Sequence, residues 1–341
     1  MAEAESGPSF GNPSAPGGPS PRVLVVVLNW NGERDTIECL DSLARGDYPA
    51  QKIVVLDNGS RPGSVEKIEG AFPAVEVVRN GANLGYAAGN NVGLRLAIER
   101  GAGYCLVLNN DVTTAPDMVR LLVAAAERDP CLLVLGPRVY RADAPDQLSY
   151  PGWGIDWRRW LFHRLRETPA AGPDGLADAA FVQGCALMVR VDFLSGGRRT
   201  DTAASGATVD LLDERFYLYC EDADLAVRAQ RAGGRTVEVA AARAWHKGYA
   251  SSGRDSPMRT YYGWRNRWLF ISKHATAQYV PRRHRAMLRA QLLLGDAGAT
   301  MWRCVKARLR GDRQAARTVR ALARAILDAL RGRYGRGPEW L

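Results

Sequence analysis

Short runs of apolar residues alternate with longer segments of helical spacing over the first 136 residues of the chain. Residues 35–44, 88–100 and 116–128 have the helical spacing, and the last segment starts with a proline, as helices often do. Strands separated by helices of about 10–15 residues are typical of βαβ units, so the pattern predicts an α/β fold with a mostly parallel sheet. The predicted strands are residues 23–28, 53–56, 75–78, 105–108 and 132–135.

The rest of the chain is less regular. Residues 185–189 predict a buried strand, and residues 222–232 predict a helix that ends at two glycines. Residues 195–210 are rich in Gly, Ser and Thr and predict a mobile loop. At the amino terminus, 13 of the first 21 residues are Gly, Ser or Pro. Such a composition has too few apolar side chains to form a core, so residues 1–21 are predicted to be a disordered leader.

Composition adds a charge asymmetry to this picture. The chain has 341 residues, 46% of them hydrophobic, and a net charge of +10, which excludes collagen, a coiled coil and wholesale disorder. Residues 273–341 carry 16 basic and 4 acidic side chains, whereas the preceding residues carry 30 basic and 32 acidic ones. A basic segment on a neutral body favours a polyanionic neighbour such as a membrane surface. No nucleic-acid partner is expected, because no aromatic stacking platform accompanies the charge.

Residues 313–331 have an amphipathic pattern, with arginines on another face than the apolar positions Val319, Leu322, Ile326 and Leu330. Such a helix either docks on an anionic membrane or packs on the catalytic body, and the second arrangement is favoured. No run of about 18 apolar residues occurs, so no transmembrane helix is predicted. The six cysteines form no CxxC pair and are predicted to be buried thiols of a reducing compartment, which indicates a cytoplasmic location.

Polar residues follow three of the predicted strands, at residues 29–32, 57–60 and 109–111. Ligands of open α/β sheets bind beyond the carboxyl ends of the strands, so these residues predict a binding site. A dinucleotide site and a P-loop are disfavoured, because neither GxGxxG nor GxxxxGK with Ser or Thr occurs at a strand end. Asp111 and its neighbouring amides can hold a divalent cation that neutralises a diphosphate, or they can form a turn. Asp57 can accept a hydrogen bond from a nucleotide base or ribose, or form an Asx turn.

Three further clusters carry candidate chemistry. Residues 83–93 combine three glycines with three asparagines, which indicates close backbone approach to a ligand or tight helix packing. Glu221, Asp222 and Asp224 repel one another, so at least one of them should have a raised pKa that suits a general base, unless they cap a helix. His246 is either a structural residue or a second ligand of the cation.

Together these segments resemble glycosyltransferase family 2, the inverting enzymes of GT-A fold, and most closely its rhamnosyltransferase-like branch. The resemblance covers residues 23 to about 275. It implies a Rossmann-like GT-A catalytic domain at residues 22–275, with a nucleotide-binding half at 22–136 and an acceptor half at 137–275, followed by a basic helical extension at 276–341. The matching segments are residues 27–32, 54–60, 83–93, 108–111, 184–186, 213–216, 219–225, His246 and residues 261–267.

The resemblance also implies roles for individual residues. Asp222 would be the catalytic base, with Glu221 beside it in the family's acidic pair. Asp111 and His246 would ligate Mg²⁺ or Mn²⁺. The implied nucleotide-binding residues are Asn29, Asn31, Asp57, Asn83, Gly85, Asn91, Asn109 and Asn110, and the implied acceptor-binding residues are Gly184, Cys185, Asp224, Trp245 and Arg265.

The function implied by the resemblance is transfer of a sugar from a nucleoside-diphosphate sugar to an acceptor hydroxyl, with inversion at the anomeric carbon. UDP-sugars are favoured as donors and dTDP-rhamnose is the alternative. The acceptor is a sugar, a lipid-linked molecule or another small molecule. A nucleotidyltransferase and a catalytically silent protein that binds a sugar nucleotide or a glycan remain as alternatives.

Two features depart from the family pattern. Asn109 and Asn110 place amides at the first two positions of the family's DxD motif. Fewer charges then hold the cation, so metal binding should depend partly on the substrate. Residues 198–209 interrupt a region that usually runs on directly, so the identity of the acceptor is not implied. The expected location is cytoplasmic, with peripheral contact at the inner face of the membrane if the basic helices dock there.

Overall fold

The computed structural model describes residues 21–157, 161–196, 211–248, 256–275, 281–309 and 314–341. The predicted leader lies outside these ranges except for Pro21. The interrupting segment at residues 198–209 also lies outside them, as does most of the predicted loop at residues 195–210.

Helices and strands alternate through the first half of the chain and segregate in the second. The strands within the described ranges are β1 (Val23–Asn29), β2 (Gln51–Asp57), β3 (Glu76–Arg79), β4 (Tyr104–Asn109), β5 (Val112–Thr114), β6 (Leu132–Arg141), β7 (Ala144–Leu148), β8 (Trp153–Asp156), β9 (Leu161–Arg164), β10 (Leu176–Asp178), β11 (Ala186–Arg190) and β12 (Arg235–His246). The helices are α1 (Glu33–Ala44), α2 (Ser64–Ala71), α3 (Gly85–Glu99), α4 (Met118–Arg128), α5 (Val191–Leu194), α6 (Glu221–Arg231), α7 (Pro257–His274), α8 (Arg282–Gln291), a π-helical segment (Leu292–Asp296), α9 (Ala297–Leu309) and α10 (Ala315–Leu330).

One mixed sheet organises the described part of the chain. Its strand order is β10-β12-β6-β11-β4-β1-β2-β3, with β5 added beside β12 and β7 beside β6. Strands β4, β1, β2 and β3 are parallel, which confirms the predicted βαβ half. Strand β11 runs antiparallel between β4 and β6, while β12 is parallel to β6, and β8 pairs with β9 in a separate hairpin. The predicted α/β class, a mostly parallel sheet with flanking helices and a helical carboxyl-terminal region, is confirmed.

Strand β1 shows why the sequence reads as a continuous apolar run. Val23, Val25 and Val27 pack on the face of the sheet that α1 and α4 cover, whereas Leu24 and Val26 pack on the face that α3 and α6 cover. A strand that is buried on both faces needs apolar residues at every position instead of alternate ones. Because both faces of the sheet are closed, the polar carboxyl ends of the strands are left to form a site.

A third apolar cluster joins α7 to α10. Leu322 and Ala325 of α10 are buried against Tyr261 and Phe270 of α7. Packing of this helix on the catalytic body is therefore confirmed, and most of its apolar face is not available to a membrane. Only Leu330, among the apolar positions that the sequence pattern picked out, is exposed.

Two further sequence predictions can be compared with the structure. No helix within the described ranges combines the length and the apolarity needed to cross a bilayer. The six cysteines are all free, and four of them are buried. The prediction of buried thiols is wrong for Cys131, which is exposed in the turn before β6, and Cys220 is only half-buried.

Candidate active site

A large cleft opens at the carboxyl ends of β1, β4 and β12, with a volume of about 1180 Å³. The loops after β1, β2 and β3 form one wall. Residues from β7, β9, the start of α7 and the last residues of the chain also line the cleft. A pocket of roughly 300–1,000 Å³ holds a ligand of ordinary size, so this cleft has room for two substrates side by side.

Two predicted nucleotide residues, Asn29 and Asp57, form a buried hydrogen-bond network beneath the cleft. The Asn29 amide donates to Asp57 Oδ1 at 3.0 Å and to Ser60 Oγ at 3.1 Å, and its oxygen accepts from the Gly32 N–H at 3.2 Å and the Thr36 hydroxyl at 2.9 Å. Protein atoms thus occupy all the side-chain donors and acceptors of Asn29. Its role is to position Asp57 and the turn after β1. Neither side chain lines the cleft wall.

Asn31 reaches the cleft directly. Its backbone is in the left-handed region, with φ of +56°, which Asn tolerates better than most residues. Its side chain accepts from the Arg61 N–H at 2.8 Å, and its own N–H donates to Ser60 Oγ at 2.8 Å. The neighbouring Trp30 lines the cleft with 47% of its surface exposed. This indole was missed as a site residue, although an exposed aromatic ring between two asparagines at a strand end is a signal that sequence reasoning could have used.

The loop that leads into α3 brings Asn83 and Gly85 to the same wall. Asn58, a further residue that the sequence analysis did not single out, donates to Asn83 Oδ1 and to the Gly85 carbonyl, both at 3.1 Å. Gly85 has φ of +83°, and a Cβ atom there would lie 2.4 Å from Cδ2 of the Tyr217 ring. The glycine is therefore required both by its backbone conformation and by the close approach of Tyr217.

Asn91 does not belong to this wall, and the nucleotide-binding role suggested for it is corrected here. Its side chain is buried and exchanges two hydrogen bonds with the backbone of Leu212, at 2.9 and 3.0 Å, and a third with Glu214. Asn91 anchors the segment at residues 211–214 to α3. The asparagine pattern correctly indicated a close approach, but the approaching group is the protein backbone.

The two candidate cation ligands are brought together by antiparallel pairing of β5 with β12. Asp111 Oδ1 lies 3.1 Å from His246 Nε2, and both residues line the cleft. The Lys247 N–H also donates to the Asp111 carbonyl at 3.1 Å, which fixes the end of β12. Burial alone would raise the pKa of Asp111, but the hydrogen bond and charge of His246 outweigh it and lower that pKa. Burial opposes protonation of His246, yet Cys185 and Asp111 raise its pKa to about 11.

Asn109 and Asn110 also line the cleft, but protein atoms take up part of their hydrogen-bonding capacity. The Asn110 amide donates to the Gly32 carbonyl and to Thr36 Oγ1, both at 3.1 Å. The Asn109 N–H donates to the Cys185 carbonyl at 2.9 Å. These contacts tie the end of β4 to the turn after β1 and to β11.

The residues present fit a divalent cation that is shared with a ligand. Within the described ranges, no group of three or more His, Cys, Asp and Glu side chains has the arrangement of a metal site. Asp111 and His246 would supply one oxygen and one nitrogen. Mg²⁺ commonly keeps several water ligands and is bound through one or two carboxylates plus substrate phosphates, so a diphosphate would complete this shell.

The predicted catalytic pair begins α6. The segment before it holds three non-glycine residues at positive φ, namely Tyr217, Tyr219 and Cys220. Such conformations cost about 1–3 kcal/mol each and concentrate at functional sites. Asp222 Oδ2 accepts from the Gly184 N–H at 3.1 Å, and Oδ1 accepts from the Ala223 N–H at 2.8 Å.

Burial sets the protonation of both members of this pair. Burial raises the pKa of Asp222, and the backbone N–H groups of Ala223 and Gly184 partly offset this effect. Glu221 is 4% exposed, and its Oε2 has no hydrogen-bond partner. Burial, followed by the charge of Asp222, raises the pKa of Glu221 well above its ordinary value. Burial therefore favours the neutral form of Glu221 more strongly than that of Asp222, which is the better solvated of the two.

Gly184 and Cys185 connect the acidic pair to the cation pair. Gly184 binds Asp222 through its N–H, and its carbonyl accepts from the Tyr86 hydroxyl. The next residue, Cys185, is in contact with His246. Tyr86 lines the main cleft and also a small cavity that Asp222 borders. The candidate base and the candidate cation ligands are therefore joined through one dipeptide, with Asp222 at the small cavity and Asp111 and His246 at the cleft.

Three residues suggested for acceptor binding lie elsewhere, and these suggestions are corrected. Asp224 is fully buried, with a salt bridge to Lys273 at 2.7 Å and a hydrogen bond to His274 at 2.8 Å, which makes it structural. Arg265 is fully buried beneath the cleft floor. Trp245 precedes His246 on β12, so it points to the opposite face, where its indole donates to the Pro145 carbonyl.

Comparison with known proteins agrees with this geometry. The family model described as "Glycosyl transferase family 2" matches residues 24–193. The chain is similar to N-acetylglucosaminyl-diphospho-decaprenol L-rhamnosyltransferase of Mycobacterium tuberculosis, with 26% identity over 272 residues, which are 73% of this chain and 83% of the relative. It is also similar to galactofuranosyltransferase GlfT1 of Mycolicibacterium smegmatis, with 24% identity over 62% of this chain and 66% of the relative.

Two solved structures share the fold. The mannosyltransferase PcManGT from Pyrobaculum calidifontis, in complex with GDP-Man and Mn²⁺, superposes with a TM-score of 0.52 and 16% identity over 94% of this chain and 89% of its own. The structure of GalNAc-T7 with UDP, GalNAc and Mn²⁺ gives a TM-score of 0.51 and 16% identity over 66% of this chain and 44% of its own. At such identities the likeness shows the fold alone, and it confirms the predicted GT-A architecture.

Proposed function

Because the chain belongs to glycosyltransferase family 2 and is a glycosyltransferase, we propose that it transfers a sugar from a nucleoside-diphosphate sugar to an acceptor hydroxyl with inversion, using Asp222 as the general base. The observation that carries this proposal is the contact chain at residues 184–185. Asp222 binds the first of these residues and His246 contacts the second, so the proposed base and the cation pair are joined through one dipeptide, and Tyr86 lines both the cavity beside Asp222 and the cleft.

The protein groups support this chemistry in two ways. Asp222 is half-buried and held by two N–H donors, so its carboxylate is fixed in direction and can take the proton from an acceptor hydroxyl. The hydroxyl would then attack the anomeric carbon from the face opposite the leaving nucleoside diphosphate. Asp111 and His246 would hold Mg²⁺ or Mn²⁺, which when bound supplies positive charge that stabilises the leaving diphosphate.

For the donor we propose a UDP-sugar, with dTDP-rhamnose as the alternative that the rhamnosyltransferase relative supports. Trp30, Asn31 and Asn83 line the wall where the nucleotide would lie. A thermal-shift panel of UDP-, dTDP- and GDP-sugars, each with and without Mn²⁺, tests this choice, because a ligand of the native state stabilises it in proportion to its saturation. Failure of every nucleotide sugar to raise Tm would contradict the proposed function. The nucleotidyltransferase alternative predicts release of pyrophosphate instead of nucleoside diphosphate, so the product separates the two.

For the acceptor we propose a lipid-linked sugar, supported by the diphospho-decaprenol named for the relative. Peripheral contact with an anionic membrane from the cytoplasmic side would then be required, and α8 and α9 provide a better surface for it than α10. Met287, Leu294, Trp302 and Leu309 expose between 54% and 82% of their surface, and Lys306 lies 5.0 Å from the Trp302 ring. Exposed apolar side chains beside cations are typical of helices that lie in a membrane interface.

Vesicle co-sedimentation tests this contact. Trp302→Ala should lower binding to phosphatidylglycerol vesicles several-fold, because the indole would otherwise be buried in the interface. The matched control is Trp157→Ala, which removes an equally large ring with 45% exposure from a different surface. Equal loss in both variants, or binding to phosphatidylcholine that matches binding to phosphatidylglycerol, would contradict the assignment.

A further inference from the structure

The last residues of the chain form part of the cleft wall. Residues 336–339 and Leu341 line the cleft. Three hydrogen bonds hold the backbone of this segment. The Gly335 N–H donates to the Arg215 carbonyl at 2.8 Å, and Arg265 donates to the Gly335 carbonyl at 2.7 Å. The Gly337 N–H donates to the Tyr262 hydroxyl at 2.7 Å. We call residues 335–341 the carboxyl-terminal strap. It lies outside the region that the family model matches.

The strap is fixed to the segment that carries the base. Arg265, which binds Gly335, also donates to the Phe216 carbonyl at 3.1 Å. Its neighbour Asn266 donates to the carbonyls of Phe216, Leu218 and Tyr219, at 2.7 to 2.8 Å. These carbonyls belong to the segment that leads directly into Asp222. The strap is therefore joined through Arg265 and Asn266 to the segment that carries the proposed base.

Tyr217 and Tyr262 extend this connection into the cleft. Their rings stack at 5.2 Å with an angle of 14° between planes, and both line the cleft. The positive charge of Arg336 acts on the Tyr217 hydroxyl, which places this guanidinium near the stacked pair. A flat apolar surface next to a cation suits a ligand that combines an apolar part with an anionic group.

The charges on the cleft wall are not balanced. Arg141 is paired with Asp143 at 2.6 Å, and Lys247 is paired with Asp35 at 2.6 Å. Arg336 has no carboxylate within salt-bridge distance in the described part of the chain. The same holds for Arg164, which lies 5.1 Å from the Tyr150 ring.

These two arginines come from the strap and from β9, and Arg259 at the start of α7 lines the cleft as well. The guanidinium groups of Arg336 and Arg164, which line one cleft, are suited to bind phosphate oxygens, because each presents a planar fork of N–H donors.

We propose that Arg336 and Arg164 bind a phosphate group carried by the acceptor, so that the carboxyl-terminal strap selects phosphorylated acceptors. This inference rests on the proposed function, because it takes the Asp111–His246 end of the cleft as the place of the donor diphosphate. The second phosphate site is then formed by the strap and β9, whereas the first is formed at the ends of β5 and β12.

Titration of a small phosphorylated probe tests the proposal. The full-length protein is first saturated with UDP and Mn²⁺, so that the donor site is filled, and geranyl phosphate is then titrated by calorimetry, with geraniol as the probe that lacks phosphate. The variants are Arg336→Gln and Arg164→Gln. The matched control is Arg333→Gln, because Arg333 is exposed on the same part of the chain and does not line the cleft.

We expect the wild-type protein to bind geranyl phosphate and not geraniol, and Arg336→Gln to weaken this binding about ten-fold to a hundred-fold, the usual effect of losing a charged hydrogen bond. Arg333→Gln should leave the affinity for geranyl phosphate unchanged. Arg336→Gln and Arg333→Gln should both keep the wild-type affinity for UDP. Lower UDP affinity in Arg336→Gln with unchanged probe binding would overturn the proposal, because the arginine would then serve the donor. Equal weakening in Arg333→Gln would also overturn it, since the effect would reflect overall charge.

The result also separates this inference from the proposed function. UDP binding without probe binding in the wild-type protein would overturn the inference alone. Absence of UDP binding would count against the proposed function. In that case geranyl phosphate is titrated without nucleotide. Weaker binding of this probe to Arg336→Gln than to the wild-type protein would still support the phosphate site, and equal binding would overturn it.

Discussion

Replacement of Asp222 by asparagine separates the chemistry of the base from its structural contacts. Both carboxylate oxygens accept a backbone N–H, from Gly184 at 3.1 Å and Ala223 at 2.8 Å. Asparagine offers only one accepting oxygen, so one donor loses its partner at a cost of about 1–3 kcal/mol. Removal of the charge also relieves repulsion with Glu221, so the net change in the free energy of unfolding should be small. Loss of a positioned base should lower kcat about 10²–10⁴-fold, or about 2.7–5.4 kcal/mol in activation free energy.

The assay follows nucleoside diphosphate released in the presence of acceptor, by coupling it to NADH oxidation. Thermal unfolding is measured on the same samples, to confirm that the variant is folded. The matched control is Asp174→Asn, because Asp174 also accepts a backbone N–H, from Leu176 at 3.1 Å, but lies in an exposed turn away from the cleft. A variant Asp222→Asn that keeps more than about a tenth of the wild-type kcat would refute the assignment of Asp222 as the base.

The pH dependence of the wild-type enzyme gives a second check on the same assignment. A general base must be ionised, and burial raises the pKa of Asp222 above 3.8. As the pH falls through this raised pKa, the base becomes protonated and kcat/KM decreases. The midpoint of the acidic limb should therefore lie above 3.8. A midpoint at or below that value would show that another group limits the reaction.

Three further predictions concern stability, the cleft wall and the cation. Asp224→Asn should lower the free energy of unfolding by about 3–5 kcal/mol in urea denaturation, because Arg228 and Lys273 lose the charge of a shared buried partner. A loss of acceptor affinity without a loss of stability would restore the acceptor role. Gly85→Ala should lower both nucleotide affinity and Tm, because its Cβ would lie 2.4 Å from the Tyr217 ring. Its control is Gly81→Ala, which should lower Tm only slightly, because Gly81 is also at positive φ but no atom lies within 4 Å of the added Cβ. In calorimetric titrations Mn²⁺ should bind at least about ten-fold more tightly in the presence of UDP than in its absence, since the protein supplies few ligands. Tight Mn²⁺ binding to the free protein that Asp111→Asn does not weaken would contradict this cation site.

The sheet and the strand ends could be predicted because their signals are local. Strands β1 and β4 are buried on both faces, so they read as apolar runs, and the polar residues directly after them mark the ligand side of the sheet. Asp111 and His246 could be paired in advance only through the family resemblance. Their contact depends on the pairing of β12 with β5, and no periodicity in either segment indicates that pairing.

Three of the errors share one physical cause. The family resemblance implied ligand contacts for Asn91, Asp224 and Arg265, and all three are buried. A sequence shows that such a residue needs partners, but it does not show whether these are ligand atoms or protein atoms. Here the partners are Leu212, Lys273 and the backbone of residue 335, which come close only in the folded chain. For the same reason the sequence did not show that Arg336, within the basic carboxyl-terminal segment, faces the cleft.

The join between β5 and β12 has a consequence for how the enzyme is made. Asp111 emerges early in synthesis, but it meets His246 only after most of the sheet has been assembled, since β12 must first pair with β6. Contacts between residues so distant in sequence form slowly, because a long loop has to close. A partly folded chain would thus have no place to hold a cation and a diphosphate together. Nucleotide with Mn²⁺ should then act as a selective reporter of complete maturation, stabilising finished molecules and leaving intermediates untouched.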